Sequence, residues 1–421
     1  MNEPDAIIVG GGPAGSVCAS KLRMLGRSVM VLERDYFPRF HLGESLLPQS
    51  LYVLDDIGVL ADVRERFIEK HGARFHDDRD GRKARFVFEN AFDETYQHSF
   101  QVERAAFDEL LLRHAGKLGA DVREGWQVRR VLMEGGRSVG VLARDPGGAE
   151  HELRAPMVID ATGRGALQAH AARCTEKIPR LDKSAFYAHY EGIPRAAGKE
   201  AGDIDIVIFE TRPRESDGAW SGGWFWFIPF KDGRTSVGAV VSSEWVKEHR
   251  HLGGADAMLQ AAIDASPTAT AFTQNATRLW PARVEADYSY RVGKMAGDGW
   301  VAIGDAAGFI DPLFSTGAHI AMRSGWKVAS VIDEALRDGD TREERFAQWV
   351  QDTRTGAETF ISAVGAFYRG PLLQYLFAEN PRTVLRRSIT SILAGDVFTS
   401  ESIWIRDLRL RLAALNEGAA T

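Results

Sequence analysis

Residues 5–33 constrain the fold more than any other stretch of this chain. Asp5-Ala6-Ile7-Ile8-Val9 is a short apolar run of the kind a buried parallel strand requires. Gly10-Gly11-Gly12-Pro13-Ala14-Gly15 follows at once and sets Gly10, Gly12 and Gly15 in G-x-G-x-x-G spacing. A helix-forming stretch from about Ser16 to Leu25 stops at Gly26, and a second apolar run, 28–32, ends in Glu33, 18 residues beyond Gly15. Each part has a physical task. Gly10 makes the turn, Gly12 lets backbone approach a pyrophosphate, and Gly15 lets the helix pack on the strand. Pro13 and Ala14 open the helix whose N-terminus faces the phosphates, and Glu33, with Arg34 beside it, stands at the ribose. This predicts a dinucleotide-binding β-α-β unit, and the motif alone does not choose between FAD and NAD.

Composition narrows the class. The chain has 421 residues, enough for two or three domains, and an ordinary globular balance of 44% hydrophobic and 26% charged residues. A net charge of −6 argues against a nucleic-acid partner. Two cysteines, Cys18 and Cys174, cannot make a disulfide framework or a structural zinc site, and no metal centre is expected. Cys18 reads as a small buried thiol. No basic, apolar leader opens the sequence and no uncharged run approaches a membrane span, so a soluble cytoplasmic protein is expected.

Further along, several segments carry a resemblance. Asp35 to Pro48, including Arg39 and Ser45, resembles the loop that flavin-dependent halogenases and related class A flavoprotein monooxygenases lay beside the flavin ring. Gln101 to Asp108 is similar to the segment that brings a flavin-contacting arginine, here Arg104. Met157 to Arg164 reads as a strand running into a glycine turn, and Trp300 to Ala307 as another ending in Gly304-Asp305. The latter resembles the second FAD fingerprint, whose aspartate binds the ribityl chain. These pieces span about three-quarters of the chain, in the order of a glutathione-reductase-type FAD fold of the hydroxybenzoate hydroxylase group.

The resemblance implies an α/β fold: a Rossmann-like FAD-binding domain, an inserted, mostly antiparallel β-sheet substrate domain and a C-terminal helical cap. The expected division is 1–165, with an inserted segment at about 70–100, then 166–290, 291–340 and 341–421. Alternating runs at 184–190 and 235–241 suit the inserted sheet, 195–203 and 211–223 read as loops, and Gly370-Pro371 breaks the helical tail.

Three features separate a halogenase from an aromatic hydroxylase. Gly223 to Pro229 matches the W-x-W-x-I-P motif; on a strand Trp224 and Trp226 share a face and form an indole wall, which in the family keeps organic substrate from the flavin. Phe309 to Gly317 fits F-x-x-P-x-x-S-x-G, where backbone N–H groups of Ser315, Thr316 and Gly317 hold halide at a helix start. Lys70, in Lys-x-Gly-Ala-x-Phe, resembles the essential lysine of halogenases acting on phenols and pyrroles. Desolvated, it is either a neutral amine able to take Cl⁺ or a cation able to hydrogen-bond HOCl. His71 receives no role. Tryptophan halogenases place glutamate before Ser-Thr-Gly, whereas this chain has Phe314, which argues against tryptophan as substrate.

The mechanism so implied uses FADH₂ from a separate flavin reductase. A flavin C4a-hydroperoxide oxidises chloride or bromide to hypohalous acid, which passes the Trp224–Trp226 wall to Lys70 and halogenates an electron-rich aromatic, free or on a carrier protein. Two alternatives stay open: a flavin-dependent monooxygenase or reductase of the same fold, and a non-catalytic flavin-binding protein.

Overall fold

The structure, a computed structural model, describes residues 3–179, 181–209, 223–286, 289–378, 383–398 and 403–417. Its first layer is a six-stranded sheet in the order Ala296–Gly297, Trp300–Ala302, Met157–Asp160, Ala6–Val9, Val29–Glu33 and Asp121–Glu124. All neighbours are parallel except the edge strand Ala296–Gly297. The two strands of the first motif are buried throughout, as expected of sheet faces covered on both sides. Helices Pro13–Met24 and Thr316–Asp338 pack together on one face, and small residues bring them close. A Cβ on Gly325 would lie 2.4 Å from the carbonyl oxygen of Ala14.

A three-stranded antiparallel sheet, Gln127–Glu134, Arg137–Arg144 and Glu150–Arg154, follows the fourth helix, Arg104–Lys117. Its first hairpin turns on Gly135 and Gly136, both at positive φ, which the tight right-twisting turn demands.

The large sheet runs Thr277–Arg278, Lys183–Glu191, Thr235–Ser242, Gly223–Pro229, Ile204–Phe209, Gly72–Asp77 and Lys83–Val87, with Arg283–Ala286 also paired to Lys183–Glu191. It is antiparallel except where Ile204–Phe209 meets Gly72–Asp77. Residues 72–87 are distant in sequence from the rest of that sheet and add to its edge, so no hairpin turn forces this pair to be antiparallel. Alternation assigns the faces. Phe186, Ala188, Phe225 and Phe227 pack against helices Ser243–His249, Ala255–Asp264 and Pro267–Thr273. These three helices lie in the stretch 166–290 that is expected to be mostly sheet. The opposite face carries Tyr187, Trp224, Trp226 and Ile206 toward Ile310–Phe314 and the C-terminal helices.

The tail is helical: Ala347–Tyr368, Pro371–Leu376, Thr383–Ala394 and Ile403–Glu417. The break at 370–371 is present, with Gly370 at φ 100° and Pro371 opening the next helix. Of the expected loop 211–223, all but Gly223 lies outside the described residues. No helix among the described residues is long and apolar enough to cross a membrane.

Candidate active site

The nucleotide end is built from glycine geometry. Gly10 sits at φ 109°, and a Cβ there would meet the carbonyl oxygen of Ala161 at 2.3 Å. On Gly15 a Cβ would lie 2.0 Å from the carbonyl oxygen of Gly10. Gly12 differs: its Cβ would point into open space bounded by Arg39 Nη2 at 3.5 Å. The first two glycines close the turn and the third leaves a cradle. The helix opens at Pro13 with no side chain capping its N–H groups, so a pyrophosphate fits beneath Arg39. Glu33 accepts the Gly11 N–H at 2.7 Å and the Asp35 N–H at 2.8 Å. Each carboxylate oxygen keeps a further lone pair for a ribose hydroxyl. Arg34 is exposed and, among the described residues, pairs only with neighbouring Asp35.

The second fingerprint packs onto the first. Gly304 is at φ 60°, its missing Cβ leaving room for Ala14. Asp305 keeps a partly open surface, while the protein around its carboxyl pushes it up to about 6 against the pull of Arg104 and Arg164. A carboxyl so placed suits the polyol of a ribityl chain. Arg104 is buried, forks onto Asp108 at 2.7 and 2.9 Å and donates to the carbonyl of Leu42. Asp108 also receives Arg39 at 3.2 Å. The two arginines expected at the flavin are therefore held by one acid, and Arg104 fixes the 40–45 loop. The i,i+4 spacing of Arg104 and Asp108 was visible in the sequence, though its meaning was not.

Ser45 and Lys70 were expected in separate roles and are joined. Lys70 ends the strand Ile68–Lys70, is only 2% exposed, and donates to Ser45 Oγ at 2.9 Å and the Leu46 carbonyl at 3.3 Å. Its ammonium also lies 5.1 Å from the centre of the Phe88 ring. Burial draws it down to about 7, with the negative charge of Asp203 working the other way. His71 pairs instead with Glu69 at 3.1 Å.

Trp224 and Trp226 share a sheet face as expected, with ring centroids 6.1 Å apart and planes inclined by 56°. A Cβ on Gly238 would fall 2.1 Å from the Trp226 ring, so that glycine is the floor on which the indole lies. Both indoles belong to one apolar cluster with Phe88, Leu313 and Phe314, which links the wall to the lysine and to the turn after Asp311. At that turn Ser315 adopts the left-handed conformation, φ 56°. Its N–H, expected at the halide, donates instead to the Pro312 carbonyl at 2.9 Å because the short turn closes on it, while the helix Thr316–Asp338 starts with no side-chain cap. Thr316 is fully buried and its hydroxyl has no hydrogen-bond partner among the described residues. An unpaired hydroxyl beside uncapped N–H groups is a donor set that fits a halide.

The family model for tryptophan halogenases matches residues 5–92 and 79–369. This chain belongs to that family. It is 30% identical over 98% of its length to a 1H-pyrrole-2-carbonyl-(peptidyl-carrier protein) chlorinase of Pseudomonas fluorescens, covering 94% of that protein. A brominase of the same description from Pseudoalteromonas luteoviolacea is 29% identical over 94% of this chain and 93% of its own. The solved structure of the flavin-dependent brominase Bmp2 superposes with a TM-score of 0.87 at 26% identity, covering 99% of this chain and all of that one. The protein is thus a flavin-dependent halogenase, with FAD and halide as the family's cofactor and co-substrate and the FAD-binding α/β fold expected of it.

Several residues escaped sequence reading: Asp203 behind Lys70, the buried pair of Glu44 Oε1 and His189 Nε2 at 2.8 Å, and Tyr368 on Asp311. Asp311 lies inside a recognised motif and Glu44 adjoins Ser45, so position alone could have flagged both. His189 and Tyr368 carried no local signal.

Proposed function

We propose that this halogenase chlorinates or brominates an electron-rich aromatic, a phenol or a pyrrole, free or tethered to a carrier protein, with Lys70 as its catalytic residue. The buried Lys70–Ser45 contact carries this reading. Supplied reduced by a separate reductase in the cytoplasm, FAD contributes the oxidation of halide by oxygen to hypohalous acid. Gly10, Gly12, Gly15, Glu33, Arg39, Arg104 and Asp305 hold it.

The chain's own residues do the rest. Thr316 and Gly317 hold halide through backbone N–H groups, while Trp224 and Trp226 keep the organic substrate on the far side. Lys70 directs two N–H bonds to Ser45 and Leu46; as an ammonium it keeps a third for the oxygen of HOX. The ring π-pair then forms the C–X bond as the X–O bond breaks. The departing hydroxide takes the ring proton to give water, so HOX and ArH become ArX and H₂O. In an apolar pocket such a donor is worth more than in water.

The close relatives named for pyrrole carriers support a tethered substrate, and Phe314 in place of an acid supports a ring that needs no dedicated base. Mass spectrometry of products from a panel of phenols and pyrroles, free and carrier-bound, with FADH₂ and chloride or bromide, tests it. Halogenated product is expected from at least one tethered or free member. Hydroxylated product independent of halide overturns the reading.

A further inference from the structure

Between the indole wall and the turn that opens the last FAD-domain helix runs a chain of hydrogen bonds whose direction is fixed by chemistry. An indole N–H can only donate, and Trp224 Nε1 donates to the Tyr368 hydroxyl at 2.8 Å. That hydroxyl has one proton, which goes to Asp311 Oδ2 at 2.9 Å. The other carboxyl oxygen, Oδ1, accepts the Leu313 N–H at 3.0 Å and so caps the short turn Pro312–Phe314. That turn delivers Ser315 in its left-handed conformation, one residue before Thr316. Trp224, Tyr368 and Asp311 are all buried, and Lys183 Nζ lies 4.3 Å over the Tyr368 ring.

The three side chains come from three parts of the fold: a strand of the inserted sheet, the C-terminal helix Ala347–Tyr368, and the loop before Thr316–Asp338. A buried carboxylate persists only when donors saturate it. Burial pushes Asp311 up to about 6, against the Tyr368 hydroxyl, the Leu313 N–H and the charge of Lys183. Removing the phenol oxygen takes from the desolvated Oδ2 the hydrogen bond it has among the described residues. The carboxyl must then reorient or take a proton, and the cap on the turn goes with it.

We propose that Tyr368 is a positioning residue, the middle of an Asp311–Tyr368–Trp224 clasp that locks the halide turn to the indole wall, so that anion binding at Thr316 and Gly317 depends on a hydroxyl outside that turn. The inference rests on the halide reading of the turn given above. It makes the wall and the anion site one unit. A halide is gripped well only while the first indole is in place to screen what the halide becomes.

The test is calorimetric titration of bromide into protein loaded with oxidised FAD, for wild type, Tyr368→Phe, Trp224→Phe and the double variant. Tyr368→Phe keeps its ring and loses one polar atom, and Trp224→Phe removes the N–H donor together with one ring of the indole. Both are expected to weaken bromide about three- to tenfold, the share of one buried hydrogen bond that reaches the neighbouring site. The double variant is expected to be no worse than the weaker single, because either change opens the same chain. FAD affinity, measured alongside, is expected to stay within about twofold of wild type, whereas a general loosening of the fold moves both ligands. If Tyr368→Phe does not fold, Trp224→Phe carries the same expectation alone. Bromide affinity within about twofold of wild type in the folded variants, or additive losses in the double, overturns the clasp. A wild type that binds no bromide overturns the halide reading itself, and the two failures are thereby told apart.

Discussion

Lys70 is a group whose charge state the fold controls strongly, and Lys70→Met separates that effect from everything else that titrates. Methionine keeps most of the stem and removes the amine. In the unfolded chain the lysine titrates near 10.5 and in the folded one near 7. Below about pH 7 both states hold the proton, and the folded state bears the whole cost of a buried charge. Between about 7 and 10.5 the unfolded chain binds more protons than the folded one, so stability rises with pH across that window. By linkage, burying Lys70 costs the wild type about 5 kcal/mol at pH 6, where the buried amine is charged, and about 2 kcal/mol at pH 9, where it has given up its proton. The free-energy gap by which the methionine variant exceeds wild type is therefore expected to narrow by about 3 kcal/mol over those three pH units. Urea unfolding of both proteins at pH 6 and pH 9 reads this as a change in the difference between midpoints at a common slope, and groups shared by the two proteins cancel. A gap that stays constant within about 0.5 kcal/mol shows that Lys70 is an ordinary solvated lysine, and the argument for its reactivity falls with it.

Lys70→Ala is expected to leave FAD affinity unchanged and bring halogenated product to the detection limit, with Lys70→Arg no better because a planar fork cannot replace a three-donor ammonium at Ser45; FAD titration and product mass spectrometry check both. If the ammonium is the working form, the halogenation rate under saturating FADH₂ falls as pH rises through about 7, and a rate that climbs there assigns the neutral amine instead. Glu33→Ala unpairs the Gly11 and Asp35 N–H groups and is expected to cost about 2 kcal/mol of stability and to weaken FAD more than FMN, as calorimetry with both flavins would show. Thr316→Val removes a buried hydroxyl without a partner among the described residues and is expected to raise halide-free stability by about 1 kcal/mol, read by urea unfolding. Gly317→Val should close the turn against Phe309, whose ring would be 3.3 Å from the new Cβ, and abolish bromide binding in anomalous diffraction from soaked crystals.

Local patterns were legible wherever one short segment carried the whole constraint. The glycine turn, the acid ending the second strand and the paired indoles each follow from spacing alone, because strand and helix periodicity decides which side chains meet. The Gly370-Pro371 break is of the same kind. What spacing could not reach were contacts made across the fold. Ser45 and Lys70 are 25 residues apart, Glu44 and His189 are 145, and Tyr368 and Asp311 are 57. None of these pairs has a sequence period, since their meeting depends on how the inserted sheet lies over the FAD-binding half. The three helices at 243–273 were missed for another reason. Their apolar stripes, such as Met258, Leu259, Ala262 and Ile263, are short and sit among strands of similar hydrophobicity.

The loop 39–46 shows why those unreadable contacts matter most. Backbone bonds from Leu46 N–H to the Phe100 carbonyl and from Val102 N–H to the Glu44 carbonyl pin it to the segment before helix Arg104–Lys117. Its side chains then reach in three directions. Arg39 bounds the Gly12 cradle and pairs with Asp108, Glu44 crosses to His189 on the large sheet, and Ser45 takes the amine of Lys70. A segment held at its backbone and occupied at each side chain cannot shift at one end alone. The Gly12 cradle and Lys70 are thus referred to the same short stretch of main chain. Rigid flanking strands supply the precision, and a loop without regular hydrogen bonding is what leaves its side chains free to point three ways.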